Sequence, residues 1–227
     1  MALSNRTHFR WYKNIYKLRY PFEGSEDITF SYSQIMQDIM ILTLTNGKKN
    51  GTYLEIGCNV PDYTNNTYIL SQKYNWSGLS IDYLMKFTYD WRTLRPNDNF
   101  LCCDALTVDY EEIMHKQYGE NYVIDYLQLD VDPSENTLKT LKRLPMTKYR
   151  FGIITYETDV YLGNQKIQNE SRQILNDLGY TMLIGDMIAA QYGPCEDWWV
   201  DMSLINQEIA IDIKERNLNL PRDIFLT

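Results

Sequence analysis

No stretch of about 18 apolar residues occurs anywhere in the chain, so nothing in it reads as a membrane-spanning helix. The opening residues, Met1 to Trp11, lack the apolar core of a secretory leader, and the expected location is the cytoplasm. Proline (7) and glycine (11) are scarce among 227 residues, which excludes collagen-like and low-complexity chains. Four cysteines, with Cys102 and Cys103 adjacent and no CxxC or Cys/His cluster, make neither a disulfide framework nor a zinc site. They read as small buried hydrophobes in a reducing compartment. Basic residues are short too: 22 against 30 acids, a formal charge of −8, which argues against nucleic acid or anionic lipid as partner. Only two histidines occur, His8 near the start and His115 in an outer helix, and both read as structural.

What is present is 44% apolar side chains without repeats, enough for one compact domain. Residues 1–30 are aromatic and basic (Trp11, Tyr12, Tyr16, Tyr20, Phe22), an arm packed over a domain or a segment trimmed from a longer polypeptide. Residues 31–227 form the domain. Ile35, Ile39, Leu42 and Leu44 recur near helical spacing, and Asn46-Gly47 closes that helix with a pair that tolerates left-handed backbone. From there, short runs rich in β-branched and aromatic residues alternate with amphipathic stretches, the pattern of a parallel sheet built from βαβ units. Strands are expected at 52–57, 78–82, 99–105, 123–131, 152–157, 181–186 and 197–201. Asp109 with Glu112, and Asp132 with Glu135, read as helix capping boxes.

Ligands of open α/β sheets bind at the carboxyl ends of strands, so those ends are the shortlist. The first ends in Glu55-Ile56-Gly57-Cys58-Asn59, where Gly57 allows close approach to backbone, Asn59 tolerates positive φ, and Glu55 could orient the loop or a ligand ammonium group. The second ends in Asp82-Tyr83, an acid placed to accept both hydroxyls of a ribose. The third ends in Asp104-Ala105, where a carboxylate could meet the amine of adenine beside a small neighbour. Each acid alone is as well read as a cap or turn; three at successive strand ends outline an adenosine site. A GxGxxG phosphate cradle is absent, which argues against a dinucleotide. S-adenosylmethionine, an adenosine with an amino-acid tail and no phosphate, suits the pattern.

Ser33-Gln34, Gln37-Asp38, Tyr53-Leu54-Glu55-Ile56-Gly57, Asn65-Asn66-Thr67, Trp76-Ser77-Gly78, Leu129-Asp130-Val131-Asp132, Ile154-Thr155-Tyr156-Glu157 and Leu178-Gly179-Tyr180, in this order and spacing, resemble the FkbM-type family of S-adenosylmethionine-dependent O-methyltransferases. The resemblance spans about residues 31–201. It implies an α/β fold with a mostly parallel, seven-stranded Rossmann-like class I methyltransferase sheet and helices on both faces. It implies methylation of a sugar hydroxyl in a glycan, and Gln37, Glu55, Gly57 and Asn66 around the methionine tail. The sequence departs from the family at Cys58-Asn59, where a second glycine is usual, at Asp82, usually Glu, and at Asp132-Pro133, usually Glu-Gly.

Asp130 and Glu157, at the ends of the fourth and fifth strands, are the expected catalytic carboxylates. With Asp132 they could instead hold Mg²⁺ or Mn²⁺. Asp197, Trp198 and Trp199 are the expected acceptor surface: adjacent strand residues face opposite ways, which leaves one indole for a sugar. Two other classes stay open. Asp130-Val131-Asp132 resembles the DxD of metal-dependent nucleotide-sugar glycosyltransferases, and the altered first loop would suit a non-catalytic methyltransferase-like module. The sequence does not set the oligomeric state.

Overall fold

The structure, a computed structural model, describes residues 17–189 and 192–227. The readings of His8, Trp11, Tyr12 and Tyr16 concern residues outside that range. All seven expected strands form: β1 (Thr52–Ile56), β2 (Ser77–Asp82), β3 (Asn99–Cys102), β4 (Val123–Leu129), β5 (Arg150–Glu157), β6 (Thr181–Ala189) and β7 (Gly193–Val200). They make one sheet in the order β3-β2-β1-β4-β5-β7-β6. The first five are parallel, and β7 runs antiparallel to both β5 and β6. Strand order therefore reverses between β1 and β4, which opens a crevice at their carboxyl ends.

Helices cover both faces, so the strands bury side chains on both sides. One layer holds α1 (Gln37–Leu44), α2 (Tyr68–Tyr74), α7 (Gln207–Arg216) and α8 (Pro221–Phe225) against Tyr53, Tyr126, Ile153, Trp198 and Val200. The other holds α4 (Tyr110–Tyr118), α5 (Ser134–Arg143) and α6 (Gln165–Asp177) against Leu54, Ile56, Leu127, Leu129, Ile154 and Trp199. Helix α3 (Thr88–Leu94) lays Trp91 on Cys58 and Phe87 beside the loop after β1. Helix α1 is buried on every side, its eight residues all inside, and ends as expected at Asn46 (φ 52°) and Gly47 (φ 66°). Part of the arm belongs to the same body: Leu18 bridges Leu226, while Phe22 and Ile28 join the α1 layer. The four cysteines are unpaired. His115 is exposed on α4 beside Glu120. No helix among the described residues is long and apolar enough to cross a membrane.

One capping expectation is corrected. Asp109 caps α4 by accepting from Glu112 N at 3.0 Å, but α5 starts only at Ser134, with Pro133 as its extended N-cap residue and no side-chain cap. The Asp132 carboxylate is thereby released from the helix end.

Candidate functional site

A cavity of 710 Å³ opens at the carboxyl edge of the sheet, on the α1 face. Its floor follows from strand register. Glu157 and Glu196 are direct partners in the β5–β7 ladder, and extending the parallel ladders by one residue places Asp82, Gly57, Asp130 and Glu157 side by side on β2, β1, β4 and β5. Side chains at one level of a sheet share a face, so one row of acids crosses four strands. A glycine interrupts it. Gly57 has φ 82°, and a Cβ there would lie 1.5 Å from the Asp130 carbonyl oxygen, so the residue is glycine because β4 passes so near.

One end of the cavity is lined by Asp82, Tyr83, Leu84, Phe87, Cys103, Asp104 and Ala105. Asp82 accepts from Asn59 N at 2.9 Å through Oδ2 and from Leu84 N at 2.8 Å through Oδ1, so its carboxylate ties together the loops after β1 and β2. Each oxygen keeps a lone pair toward the cavity. Asp104 accepts from Leu106 N at 2.8 Å. Asn59 takes up φ 53° and holds Trp91 Nε1 on its carbonyl at 2.9 Å. Carboxylates beside the apolar edges of Leu84, Phe87 and Ala105 fit the hydroxyls and ring of a nucleoside.

The other end is lined by Asp130, Asp132, Glu157, Asp159, Tyr161, Tyr192, Cys195 and Glu196. Burial, and then the nearby Asp130, pushes the Glu157 carboxyl well above its ordinary value; Asp130 is raised by burial and bonded to Glu157. Burial, Asp132 and Asp130 push Asp159 up to about 6. Burial raises Glu196 to about 8, although it accepts from Gln37 Nε2 at 3.0 Å and Trp198 Nε1 at 2.5 Å. Carboxylate oxygens of Asp132, Glu157 and Asp159 lie within 4.8 Å of one another, near enough to share a cation. Asp159 thus stands where Asp130 was expected in that trio. No Lys, Arg or His lines the cavity among the described residues.

Other expected site residues stand elsewhere. Glu55 is fully buried one layer below the acid row and accepts from Thr67 Oγ1 at 2.9 Å and Ser80 Oγ at 2.8 Å. Arg95 of the segment after α3 reaches the same cluster, donating to Asn65 Oδ1 at 2.9 Å, Thr67 Oγ1 at 3.0 Å and Tyr53 OH at 3.0 Å. Asn66 donates to Gln128 Oε1 at 2.7 Å, and Gln128 Nε2 donates to the Gly57 carbonyl at 3.1 Å. Gln37 is buried on α1 beneath Glu196. None of Glu55, Asn66 and Gln37 lines the cavity. They join a scaffold that fixes the loop after β1 and the Glu196 carboxylate, behind the cavity wall.

The acceptor surface is corrected as well. Trp198 and Trp199 do face opposite ways, but helices cover both faces, and each indole is 0% exposed. Asp197 is also fully buried, held by Arg172 at 2.7 and 2.8 Å on the α6 face, away from the cavity. The aromatic surface at the cavity mouth is Tyr161 and Tyr192 instead, neither singled out by the sequence. Glu196 was also missed. Its signal was its place one residue before Asp197, on the face shared by Trp198.

No protein-family model matches the chain, and no curated protein matches it in sequence. Solved structures do share its fold. An O-methyltransferase from Bacillus cereus, in complex with SAH, is similar with TM-score 0.53 at 12% identity over 75% of this chain and 83% of that one. An rRNA methylase from Streptococcus thermophilus is similar with TM-score 0.50 at 10% identity, over 73% and 94% of the two chains. A protein of Clostridium thermocellum described as an rRNA methylase is similar with TM-score 0.50 at 16% identity, over 76% and 97%.

Proposed function

We propose that a chain with this fold, the Rossmann-like sheet of class I methyltransferases, is an S-adenosylmethionine-dependent O-methyltransferase that methylates a sugar hydroxyl in a glycan. The observation that carries the reading is one cavity that joins a nucleoside-shaped end, lined by Asp82, Asp104 and Ala105, to an acidic, aromatic end. The Bacillus cereus O-methyltransferase of similar fold, solved with SAH, supports the cofactor, and the FkbM-like order of motifs supports the sugar. The cavity wall carries carboxylates without a cationic side chain, which disfavours the phosphates of RNA, although rRNA methylases share the fold.

When bound, S-adenosylmethionine supplies a methyl group on a positive sulfonium. Asp82, already anchored by two backbone amides, accepts from the ribose hydroxyls. Asp104, Leu84, Phe87 and Ala105 enclose the adenine. Asp130 and Glu157 lie at the junction of the two ends, where an acceptor hydroxyl would meet the methyl group in line, at about 3 Å. Asp130, bonded to Glu157, takes the hydroxyl proton without a metal. Thiols of the four unpaired cysteines suit a reducing cytoplasm.

Calorimetric titration with S-adenosylhomocysteine tests the first half. Wild type binds, and Asp82→Ala, losing a charge-assisted bond of about 1.5–3 kcal/mol, binds more than about tenfold weaker. Equal binding by the two moves the site elsewhere. Labelled S-adenosylmethionine offered with oligosaccharides, RNA and protein tests the second half. Label found only in RNA or protein ends the sugar reading.

A further inference from the structure

The acceptor end of the cavity crowds acidic side chains together with no Lys, Arg or His among the described lining residues. Asp159 is 4% exposed, Glu157 Oε2 is sealed from solvent without a hydrogen-bond partner, and Asp132 completes a trio of oxygens within 4.8 Å. Asp159 is buried, Glu157 is half-buried and Asp132 stands exposed at the rim, so the trio opens from an enclosed floor toward solvent and a counter-charge reaches it only from outside.

Two aromatic rings say what kind of cation. Tyr161, in the turn after β5, and Tyr192, at the start of the β7 hairpin strand, stack at 5.8 Å between centroids and 27° between planes. Both line the cavity, yet they remain 40% and 53% exposed. The Tyr161 hydroxyl is hydrogen-bonded to Asp159, which locks the ring beside the acids. A hard divalent ion takes oxygen ligands and gains nothing from phenol faces. An alkylammonium group gains from both: its three N–H donors suit three carboxylates, and its charge is attracted to the face of an aromatic ring. The same rings offer a platform for the apolar face of a sugar.

We propose that the acceptor is an amino sugar, whose ammonium group is held by Asp132, Glu157 and Asp159 under the Tyr161–Tyr192 stack. This rests on the methyltransferase reading and names the charge of its substrate. The occupied end contains no part of the nucleoside site, so the two readings can be tested separately.

Binding of S-adenosylhomocysteine is measured first by calorimetry, where failure counts against the methyltransferase and not against the amine. The protein, with that ligand if it binds and alone if it does not, is then titrated with a glucosamine tetramer and with the N-acetylglucosamine tetramer. The free amine is expected to bind at least about tenfold tighter, the usual weight of a desolvated cation–ring contact. Tyr192→Ala, at an exposed position, lowers that affinity about tenfold, and Asp159→Asn does the same, with S-adenosylhomocysteine affinity unchanged. Equal affinity for the two tetramers overturns the proposal. So does saturable Mn²⁺ binding that survives Tyr192→Ala and displaces the amine, and so does a lysine peptide that binds more tightly than the glucosamine tetramer.

Discussion

Glu157 of β5 and Glu196 of β7 are directly opposed in an antiparallel ladder, which puts two carboxyl groups side by side on the cavity wall. Opposed residues of a ladder project to one face, and like charges there repel unless at least one carries a proton.

Stability should therefore fall with rising pH. Burial holds Glu196 at about 8 against an ordinary 4.5, so between those values the folded chain keeps a proton that the unfolded chain releases. This contribution is complete below 4.5 and is lost as pH rises through about 8. Thermal melts from about pH 6 to about pH 9 should show a falling Tm in wild type and a flatter profile in Glu196→Gln. Equal slopes would assign the dependence to other groups.

Gly57→Ala should damage the fold before it damages any ligand contact. The new methyl group overlaps the Asp130 carbonyl and also meets a backbone at φ 82°. A cost of about 3 kcal/mol, some 6–12 °C in Tm for a chain of this size, is expected from overpacking and strain. A melt within 2 °C of wild type would mean that the two strands can part, by an order-of-magnitude reckoning.

For turnover, Asp130→Asn and Glu157→Gln are each expected to lose at least about 100-fold while still binding S-adenosylhomocysteine. Rates of wild type should be indifferent to EDTA and to added Mg²⁺. Variants as fast as wild type would make both acids bystanders, and a wild-type rate abolished by EDTA would transfer the role to an ion.

Arg95→Met should destabilise by about 3–5 kcal/mol, as expected when one partner leaves a buried ionic cluster. Arg95 is 1% exposed, ion-paired with Asp98 and hydrogen-bonded to Thr67, which also donates to Glu55. Denaturant titration checks it; a loss under about 1 kcal/mol would show that Glu55 is protonated and needs no counter-charge.

The sheet was legible because its strands are short runs rich in β-branched and aromatic residues, such as Thr52–Ile56 or Arg150–Glu157, bounded by turn residues. Helix α1 was legible from its spacing even though it is buried all round. That Asp82 and Asp104 would reach the cavity wall was legible because strand ends form a shortlist in this topology. The opposite end of the cavity was not. Tyr161, Tyr192 and Glu196 converge only through the antiparallel pairing of β7 with β5 and β6, and no local pattern announces which strand will turn back. The tryptophans misled for a related reason: alternation predicts opposite faces, but whether either face is open depends on helices far away in sequence. Glu55 and Asn66 were legible as a motif, but their burial behind the cavity wall was not, since a residue that holds a loop and one that holds what the loop binds leave the same trace in a sequence.

The back-to-back indoles of Trp198 and Trp199 also act as a check on reading frame in space. A slip of β7 by one residue would turn Glu196 out of the cavity and bring Asp197 in, an acid for an acid at the cavity wall, and would take Asp197 from Arg172. The same slip would exchange which indole fills which layer, each of them wholly enclosed and shaped to its own neighbours. Misplacing two such volumes costs several kcal/mol, on the order of what removing a buried aromatic side chain costs, so the wrong frame is rejected by bulk as well as by charge.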